Sequence, residues 1–203
     1  MESDVVFRIL LPSMLLSYMF HRGYYTRRLE NRRVQPDIRM GRNFSTLIAG
    51  GMGILAFLSS LAYVLRPEWI AWANLRLPAW LRWTGVLIFF CGFALLQWSQ
   101  VALGRNWSDE PTLLKDQQLI SSGPYRYIRH PIYAAIVLIL GAPMFVSSNG
   151  VVGLPWLSMT IIGVHERVIF EEALMLKRFG EHYKDYTART GRWIPRLSRK
   201  GIQ

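Results

Sequence analysis

The sequence predicts an all-α integral membrane protein of about five transmembrane helices, followed by a C-terminal helical segment outside the bilayer. Of the 203 residues, 51% are hydrophobic, a share that a soluble domain can also reach, so the arrangement along the chain decides. Long apolar runs alternate with short arginine-rich segments, and tryptophan and tyrosine gather near the ends of the runs. Both patterns are typical of helical membrane proteins.

The first three spans are predicted at residues 5–20, 44–65 and 81–103. The first contains Arg8, which lies close enough to the end of the run to extend its charge to the interface. The second has no charged residue, and the third has only Arg82 near its start. The second and third runs are long enough to cross a bilayer with some tilt.

The last two spans are predicted at residues 132–146 and 151–164. Each is shorter than a standard span, and four small or polar residues, 147–150, separate them. This spacing predicts a tight helical hairpin.

The basic residues predict the orientation in the membrane. Twenty of the 24 Lys and Arg residues fall in the segments 21–43, 104–131 and 166–203. The positive-inside rule therefore predicts that these segments are cytoplasmic, with the N-terminus outside and the C-terminus inside. The net charge of +11 is explained by these loops, so nucleic-acid binding is not expected. A bacterial inner membrane and the endoplasmic reticulum both suit this arrangement.

The chain is predicted to form one membrane domain, residues 1–203, with N-terminal helices in 1–94 and polar, chemistry-bearing segments in 95–203. The single cysteine, Cys91, lies in an apolar run and has no partner for an internal disulfide. No Cys/His cluster offers metal-ligand spacing, so no metal is expected.

The first segment whose residues could form a binding or catalytic site is 123–133. Gly123 and Pro124 indicate a turn, and Pro131 can begin the next helix, where a missing N–H costs nothing. Tyr125 and His130 are then gathered at a helix N-terminus, where free amides favour an anion. An aromatic and basic belt contacting lipid headgroups is an equally good interpretation at this point.

Two further segments follow the last span. Arg167 and Glu171 are four residues apart and share a helix face, either as a plain surface ion pair or facing a cavity, which their position beside an apolar span favours. Phe179, Tyr183 and Tyr186 are spaced to line one helical face, which predicts a helix lying on the membrane or capping the site.

Taken together, these segments resemble the isoprenylcysteine carboxyl methyltransferase family. The resemblance rests on Gly-Arg-Asn-Trp-Ser at 104–108, Gly-Pro-Tyr-Arg-Tyr-Ile-Arg-His-Pro-Ile-Tyr at 123–133, the pair Glu171-Glu172, and Phe-Gly-x-x-Tyr-x-x-Tyr at 179–186. It covers roughly residues 95–195. Each motif alone is weak, whereas the set is specific.

The resemblance implies a helical bundle whose cytoplasmic end and C-terminal segment enclose S-adenosylmethionine, with S-adenosylhomocysteine as product. It implies that the acceptor is a prenylated cysteine or similar lipophilic acid that enters from the bilayer. By position, the cofactor contacts are Gln117, Gln118, Leu119, Ile120, Tyr125, His130, Pro131, Ile132, Tyr133 and Glu171. Arg167 is implied as the catalytic residue that meets the substrate's carboxylate. Members that act on prenylated proteins tend to have His-x-Leu-Val where this chain has Gln-Gln-Leu-Ile at 117–120.

Three other functions remain open from the sequence. A phospholipid or other amine N-methyltransferase needs a group that accepts the amine's proton, for which Glu172 and His165 are the nearby candidates. A sterol-type reductase that binds NADPH is distantly similar in its C-terminal half, but that family is usually about twice as long. A membrane scaffold without catalytic activity is the third of these alternatives.

Overall fold

The computed structural model describes residues 2–29, 44–108 and 117–196, and these residues fold into a helical bundle. Within them the only strand-like pairings are two isolated bridges, so the predicted all-α class is confirmed. The α-helices are α1 (Glu2–Leu29), α2 (Phe44–Leu65), α3 (Ala79–Leu103), α4 (Pro131–Ser147), α5 (Gly150–Phe179) and α6 (Glu181–Arg189); short 3-10 turns occupy Pro67–Ala73, Gly104–Asn106 and Gly123–Arg126.

Helix α4 lies at the centre of the bundle and packs against α1, α3 and α5. Its approach to α3 is close because two glycines of α3 face it. A Cβ atom on Gly85 would lie 2.6 Å from the Cβ atom of Phe145, and one on Gly92 would lie 2.9 Å from that of Leu138. Small residues that let helix backbones approach are typical of packing inside membranes. The largest fully buried apolar side chains include Phe7, Leu11, Ile139, Val146 and Val152.

Within the described residues, three helices are long and apolar enough to cross a membrane: Asp4–Arg27, Phe44–Leu65 and Ala79–Asn106. They contain the first three predicted spans, and their outward faces are apolar, which suits an integral membrane protein. Pro131–Ser147 is a shorter apolar helix, and α5 continues well beyond its predicted span as one helix of 30 residues. Crossing by these last two helices, and the predicted sidedness, stay predictions. Four tryptophans between the end of α2 and the first turns of α3 are exposed: Trp69, Trp72, Trp80 and Trp83.

The predicted helical hairpin is formed by α4 and α5, with a turn shorter than the sequence indicates. Only Ser148 and Asn149 separate the two helices. Asn149 is fully buried and caps α5, accepting hydrogen bonds from the amides of Val151 and Val152. Its side-chain amide also donates to the Ile70 carbonyl at 2.8 Å. This one side chain therefore stabilises the hairpin and joins it to the segment between α2 and α3.

The C-terminal segment folds back onto the start of α4. Helix α5 ends at Phe179, and Gly180, with φ of +52°, turns the chain into α6. The prediction that Phe179 shares a helix face with Tyr183 and Tyr186 is wrong, because Gly180 interrupts the helix. Tyr183 and Tyr186 are nevertheless both buried on the inner face of α6. The Tyr186 hydroxyl donates to the Tyr125 carbonyl at 2.8 Å, which fastens α6 to the turn before α4.

Candidate functional site

A cleft opens at the end of the bundle where α4 begins and α5 and α6 meet. Its walls come from α1, α3, residues 117–120, the first turn of α4, α5 and α6. Arg167 lines this cleft, and so do all the predicted cofactor residues except Pro131, which is fully buried beneath it. The lining residues among those predicted are Gln117, Gln118, Leu119, Ile120, Tyr125, His130, Ile132, Tyr133, Arg167 and Glu171.

The N-terminus of α4 forms one wall of the cleft. Pro131 is the first helical residue, and His130 precedes it without a side-chain cap hydrogen bond. The first amide that donates within the helix is that of Ala134, to the His130 carbonyl at 3.0 Å. The amides of Ile132 and Tyr133 therefore have no acceptor inside the helix, and both residues line the cleft. This wall suits an anionic group.

His130 lies between two adjacent glutamates of α5. It is 5% exposed, with Nε2 at 3.1 Å from a carboxylate oxygen of Glu172 and Nδ1 at 3.9 Å from Oε2 of Glu171. The second distance is too long for a hydrogen bond. Among the described residues, Oε2 of Glu171 is buried without a hydrogen-bond partner, although the side chain as a whole is 30% exposed. A buried carboxylate oxygen left in this way costs free energy unless a ligand satisfies it.

Arg167 and Glu171 converge on the hydroxyl of Tyr133. The arginine donates to this hydroxyl, and the hydroxyl donates to the Glu171 carboxylate. All three residues line the cleft, so the pair is not a plain surface ion pair. Burial raises the pKa of Glu171, against the opposing effects of His130, the Tyr133 hydrogen bond and Arg167. A ligand cation beside Glu171 would favour its ionised form.

Glu172 joins the cleft to the C-terminal segment, a role that the motifs did not reveal. One of its carboxylate oxygens accepts from Nε2 of His130 at 3.1 Å and from Nε of Arg192 at 3.0 Å. The same oxygen is 3.4 Å from Nε of Arg129, whose guanidinium also donates to the Thr190 carbonyl at 2.6 Å. Burial opposes ionisation of Glu172, but hydrogen bonds from His130 and Arg192 outweigh it and hold the pKa well below its ordinary value. Glu172 is therefore a fixed anion.

Aromatic side chains close the cleft instead of facing lipid. Tyr125 is 7% exposed, and burial raises the pKa of its hydroxyl well above the ordinary value. Trp107 is also buried, whereas Tyr127 of the same motif is 52% exposed. The arrangement of Tyr125 and His130 thus supports the anion-site interpretation over a belt of aromatic residues among headgroups.

The sequence did not predict the cleft wall that α1 and α3 provide. Its members include His21 on α1 and Gln100 on α3. For Gln100 a signal existed, since a side-chain amide within an apolar run is costly unless it faces a partner or a cavity.

Comparisons with known proteins agree with the motifs. The sequence model of the isoprenylcysteine carboxyl methyltransferase (ICMT) family matches residues 84–177. The protein-S-isoprenylcysteine O-methyltransferase of Mus musculus is 27% identical over 138 residues, which are 67% of this chain and 48% of the mouse protein. Protein-S-isoprenylcysteine O-methyltransferase B of Arabidopsis thaliana is 21% identical over 195 residues, 95% of this chain and 96% of that protein. The resemblance predicted from the motifs is thereby confirmed.

A solved structure shares the fold. The eukaryotic intramembrane Ras methyltransferase ICMT superposes with a TM-score of 0.56 at 22% identity, over 77% of this chain and 55% of that one. The chain spans about half the length of most of the curated relatives it matches.

Proposed function

We propose that this chain, which carries the family region of the isoprenylcysteine carboxyl methyltransferases, is an S-adenosylmethionine-dependent methyltransferase that esterifies the carboxylate of an isoprenylcysteine-like lipophilic acid. The observation that carries the proposal is the convergence of His130, Tyr133, Arg167 and Glu171 on one cleft. His130 and Tyr133 belong to the motif at 123–133, whereas Glu171 belongs to the Glu-Glu pair and Arg167 lies four residues before it; the packing of α4 against α5 brings the four together.

The residues present fit the cofactor's charges. The free amides at the start of α4 suit its carboxylate, and the unpartnered oxygen of Glu171 suits its ammonium group or a ribose hydroxyl. Leu119 and Ile120 supply apolar contact along the same wall. When bound, S-adenosylmethionine supplies an electrophilic methyl group on a positively charged sulfur.

Arg167 is assigned to the acceptor. A carboxylate is already ionised at neutral pH and needs no base, so the protein's contribution is to hold it and aim one oxygen. A guanidinium does this well because two of its N–H groups match the two carboxylate oxygens. The Tyr133 hydroxyl holds Arg167 and Glu171 in fixed relation to each other.

Esterification fits the cleft better than methylation of an amine. An amine acceptor must lose a proton, and Glu172 is committed to His130, Arg129 and Arg192 with a lowered pKa, so it is a poor proton acceptor. The other candidate base, His165, is exposed and does not line the cleft.

The acceptor's apolar tail is proposed to enter between helices from the bilayer, with the cleft on the cytoplasmic side. The excess of basic residues in the segments 21–43, 104–131 and 166–203, to which many cleft residues belong, supports that orientation. Membrane lipids are then the natural surroundings of the apolar outer faces of α2 and α3, which expose Phe57, Leu87 and Phe90.

The test is transfer of radiolabelled methyl from S-adenosylmethionine by the purified protein, with N-acetyl-S-farnesylcysteine and phosphatidylethanolamine as separate acceptors. The proposal predicts label on the farnesylcysteine that is released by mild base, as an ester must be. Base-stable label on the phospholipid would instead identify an N-methyltransferase, and binding of NADPH in place of S-adenosylhomocysteine would identify a reductase.

A further inference from the structure

The wall that α1 and α3 add to the cleft holds two buried polar atoms without hydrogen-bond partners among the described residues. They are Nδ1 of His21 and Oε1 of Gln100. Both residues line the same cleft as Arg167 and Glu171. Buried polar atoms in folded proteins are almost always paired, so two orphans in one wall indicate a missing ligand group.

The proton on His21 is fixed by its neighbours. Nε2 of His21 lies 2.8 Å from Oε1 of Gln97, and the Gln97 amide nitrogen donates to the Tyr25 hydroxyl at 3.1 Å. Because an amide oxygen can only accept, Nε2 carries the proton and donates it. In the neutral ring, Nδ1 is then an acceptor. The rings of Tyr25 and Phe93 hold the imidazole in place, with centroids at 4.9 and 4.8 Å.

Gln100 is the second acceptor. It is 4% exposed, and its amide oxygen has no donor within reach in the described part of the chain. The neighbouring Ser99 is equally buried but satisfies its hydroxyl inside the helix, by donating to the Leu95 carbonyl at 2.6 Å. The backbone of α3 can accept from a hydroxyl here, but its N–H groups are used within the helix, so the Gln100 oxygen gains no partner from α3, and Gln100 lines the cleft.

Two acceptors without donors call for a ligand that brings an N–H or O–H group. We infer that His21 and Gln100 form a recognition subsite for a neutral hydrogen-bond donor on the methyl acceptor, namely an amide N–H beside the carboxylate that Arg167 holds. This inference rests on the proposed function. The two acceptor atoms disfavour a second carboxylate, because desolvating it against them is unfavourable.

The layout of the cleft favours the methyl acceptor, and not the cofactor, as the molecule that brings the N–H group. The groups that fit the cofactor belong to residues 117–120, α4 and α5, whereas this subsite belongs to α1 and α3. Residues 1–83, which include His21, also lie outside the matched family region. We therefore assign the wall formed by α1 and α3 to recognition of the methyl acceptor.

The test compares two acids that differ by the amide. N-acetyl-S-farnesylcysteine carries the N–H, and 3-(farnesylthio)propionic acid has the same thioether and carboxylate without it. One neutral hydrogen bond predicts a preference of roughly five- to tenfold in kcat/KM for the first acid. Gln100→Met keeps the side-chain volume but removes the amide oxygen. The value of kcat/KM should therefore fall for N-acetyl-S-farnesylcysteine alone, and the preference should fall to about one. Binding of S-adenosylhomocysteine should not change.

Ser99→Ala is the matched control, since it alters an equally buried neighbour outside the cleft, and its preference should equal that of the wild type. His21→Phe gives an independent variant on α1, in case Gln100→Met does not fold. Equal rates on the two acids in the wild type, or an unchanged preference in both variants, overturns the inference while the proposed function stands. Weaker S-adenosylhomocysteine binding in both variants also overturns the inference, because the N–H group that meets His21 and Gln100 would then belong to the cofactor. If the wild type methylates neither acid, the proposed function itself fails.

Discussion

The two ends of the bundle bury polar groups in opposite ways. Helices α1, α3 and α4 run from one end to the other. At the end away from the cleft, Arg82 is 7% exposed and each of its three side-chain nitrogens has an acceptor. Its Nε atom donates to the Val146 carbonyl at 3.1 Å, one terminal nitrogen to Asp4 at 2.6 Å and the other to the Tyr63 hydroxyl at 3.0 Å. The guanidinium also lies 3.9 Å from the ring centroid of Phe7.

At the cleft end, three buried polar atoms lack partners within the described residues: Oε2 of Glu171, Oε1 of Gln100 and Nδ1 of His21. A satisfied buried network stabilises the fold, because every desolvated group regains a hydrogen bond. A network with open positions is destabilising by itself and persists where a ligand completes it. The difference between the ends therefore separates a structural cluster, formed around Arg82, from the proposed binding site.

The largest effect is expected from Arg167→Ala. Removing the group that we propose aims the acceptor should lower kcat/KM for the farnesylcysteine by about 10²–10³-fold. Affinity for S-adenosylhomocysteine should be kept, because the proposed cofactor contacts belong to other residues. Lys177→Ala, an exposed cation on the same helix, is the control and should retain activity. Loss of cofactor affinity in a folded Arg167→Ala protein would contradict the role given to this residue.

Glu172→Gln should have the next largest effect, on stability. It leaves Arg129, whose side chain is 12% exposed, without its carboxylate, and it releases Arg192 of the C-terminal segment. We expect a loss of about 2–3 kcal/mol in the free energy of unfolding in detergent, at or below the lower end of the range for a broken buried ion pair, because Arg192 is 43% exposed. Weaker S-adenosylhomocysteine binding should accompany it, because His130 loses its partner. An unchanged unfolding midpoint would contradict the account of Glu172 as a fixed anion.

The same variant should change how stability depends on pH. Because the folded pKa of Glu172 is lowered from the ordinary value of 4.5, its contribution is fully present above that value. The contribution is lost as the pH falls from there through the lower folded value. Wild type should thus lose stability in this acid range, and Glu172→Gln should lose less over the same range. Parallel curves for the two proteins would argue against the lowered pKa.

The smallest of these effects is expected from Arg82→Met at the other end. Methionine keeps the long, unbranched shape of the arginine stem but makes none of the three hydrogen bonds. Asp4 is half-exposed, so water can solvate its carboxylate in the variant. A loss of about 1–2 kcal/mol in the free energy of unfolding should follow, with cofactor affinity and acceptor preference unchanged. If Arg82→Met weakened S-adenosylhomocysteine binding in a folded protein, the two ends would not be separate units.

The sequence predicted the helices and named some of the residues that line the candidate site, because both rest on local patterns. Apolar runs located the first three spans, and the motif that ends in Pro131 located the start of α4 together with its neighbour His130. The fixed anion at Glu172 was not foreseen, since its partners come from positions 129, 130 and 192, and only the tertiary fold brings them together.

The remaining misses also reflect tertiary structure. The wall formed by His21 and Gln100 depends on how α1 packs beside α3, which no spacing within one helix reveals. The supposed continuous face from Phe179 to Tyr186 failed because a single glycine with positive φ, Gly180, ends α5. Periodicity predicts faces only while one helix continues.

Calorimetric titration of S-adenosylhomocysteine into the wild type, Glu171→Ala and Arg82→Met tests the central claim most directly. We expect binding in the micromolar range for the wild type and for Arg82→Met, and none for Glu171→Ala with its helical content intact. Equal affinity in a folded Glu171→Ala protein, or no binding by the wild type, would contradict the claim that the open end of the bundle is the cofactor site.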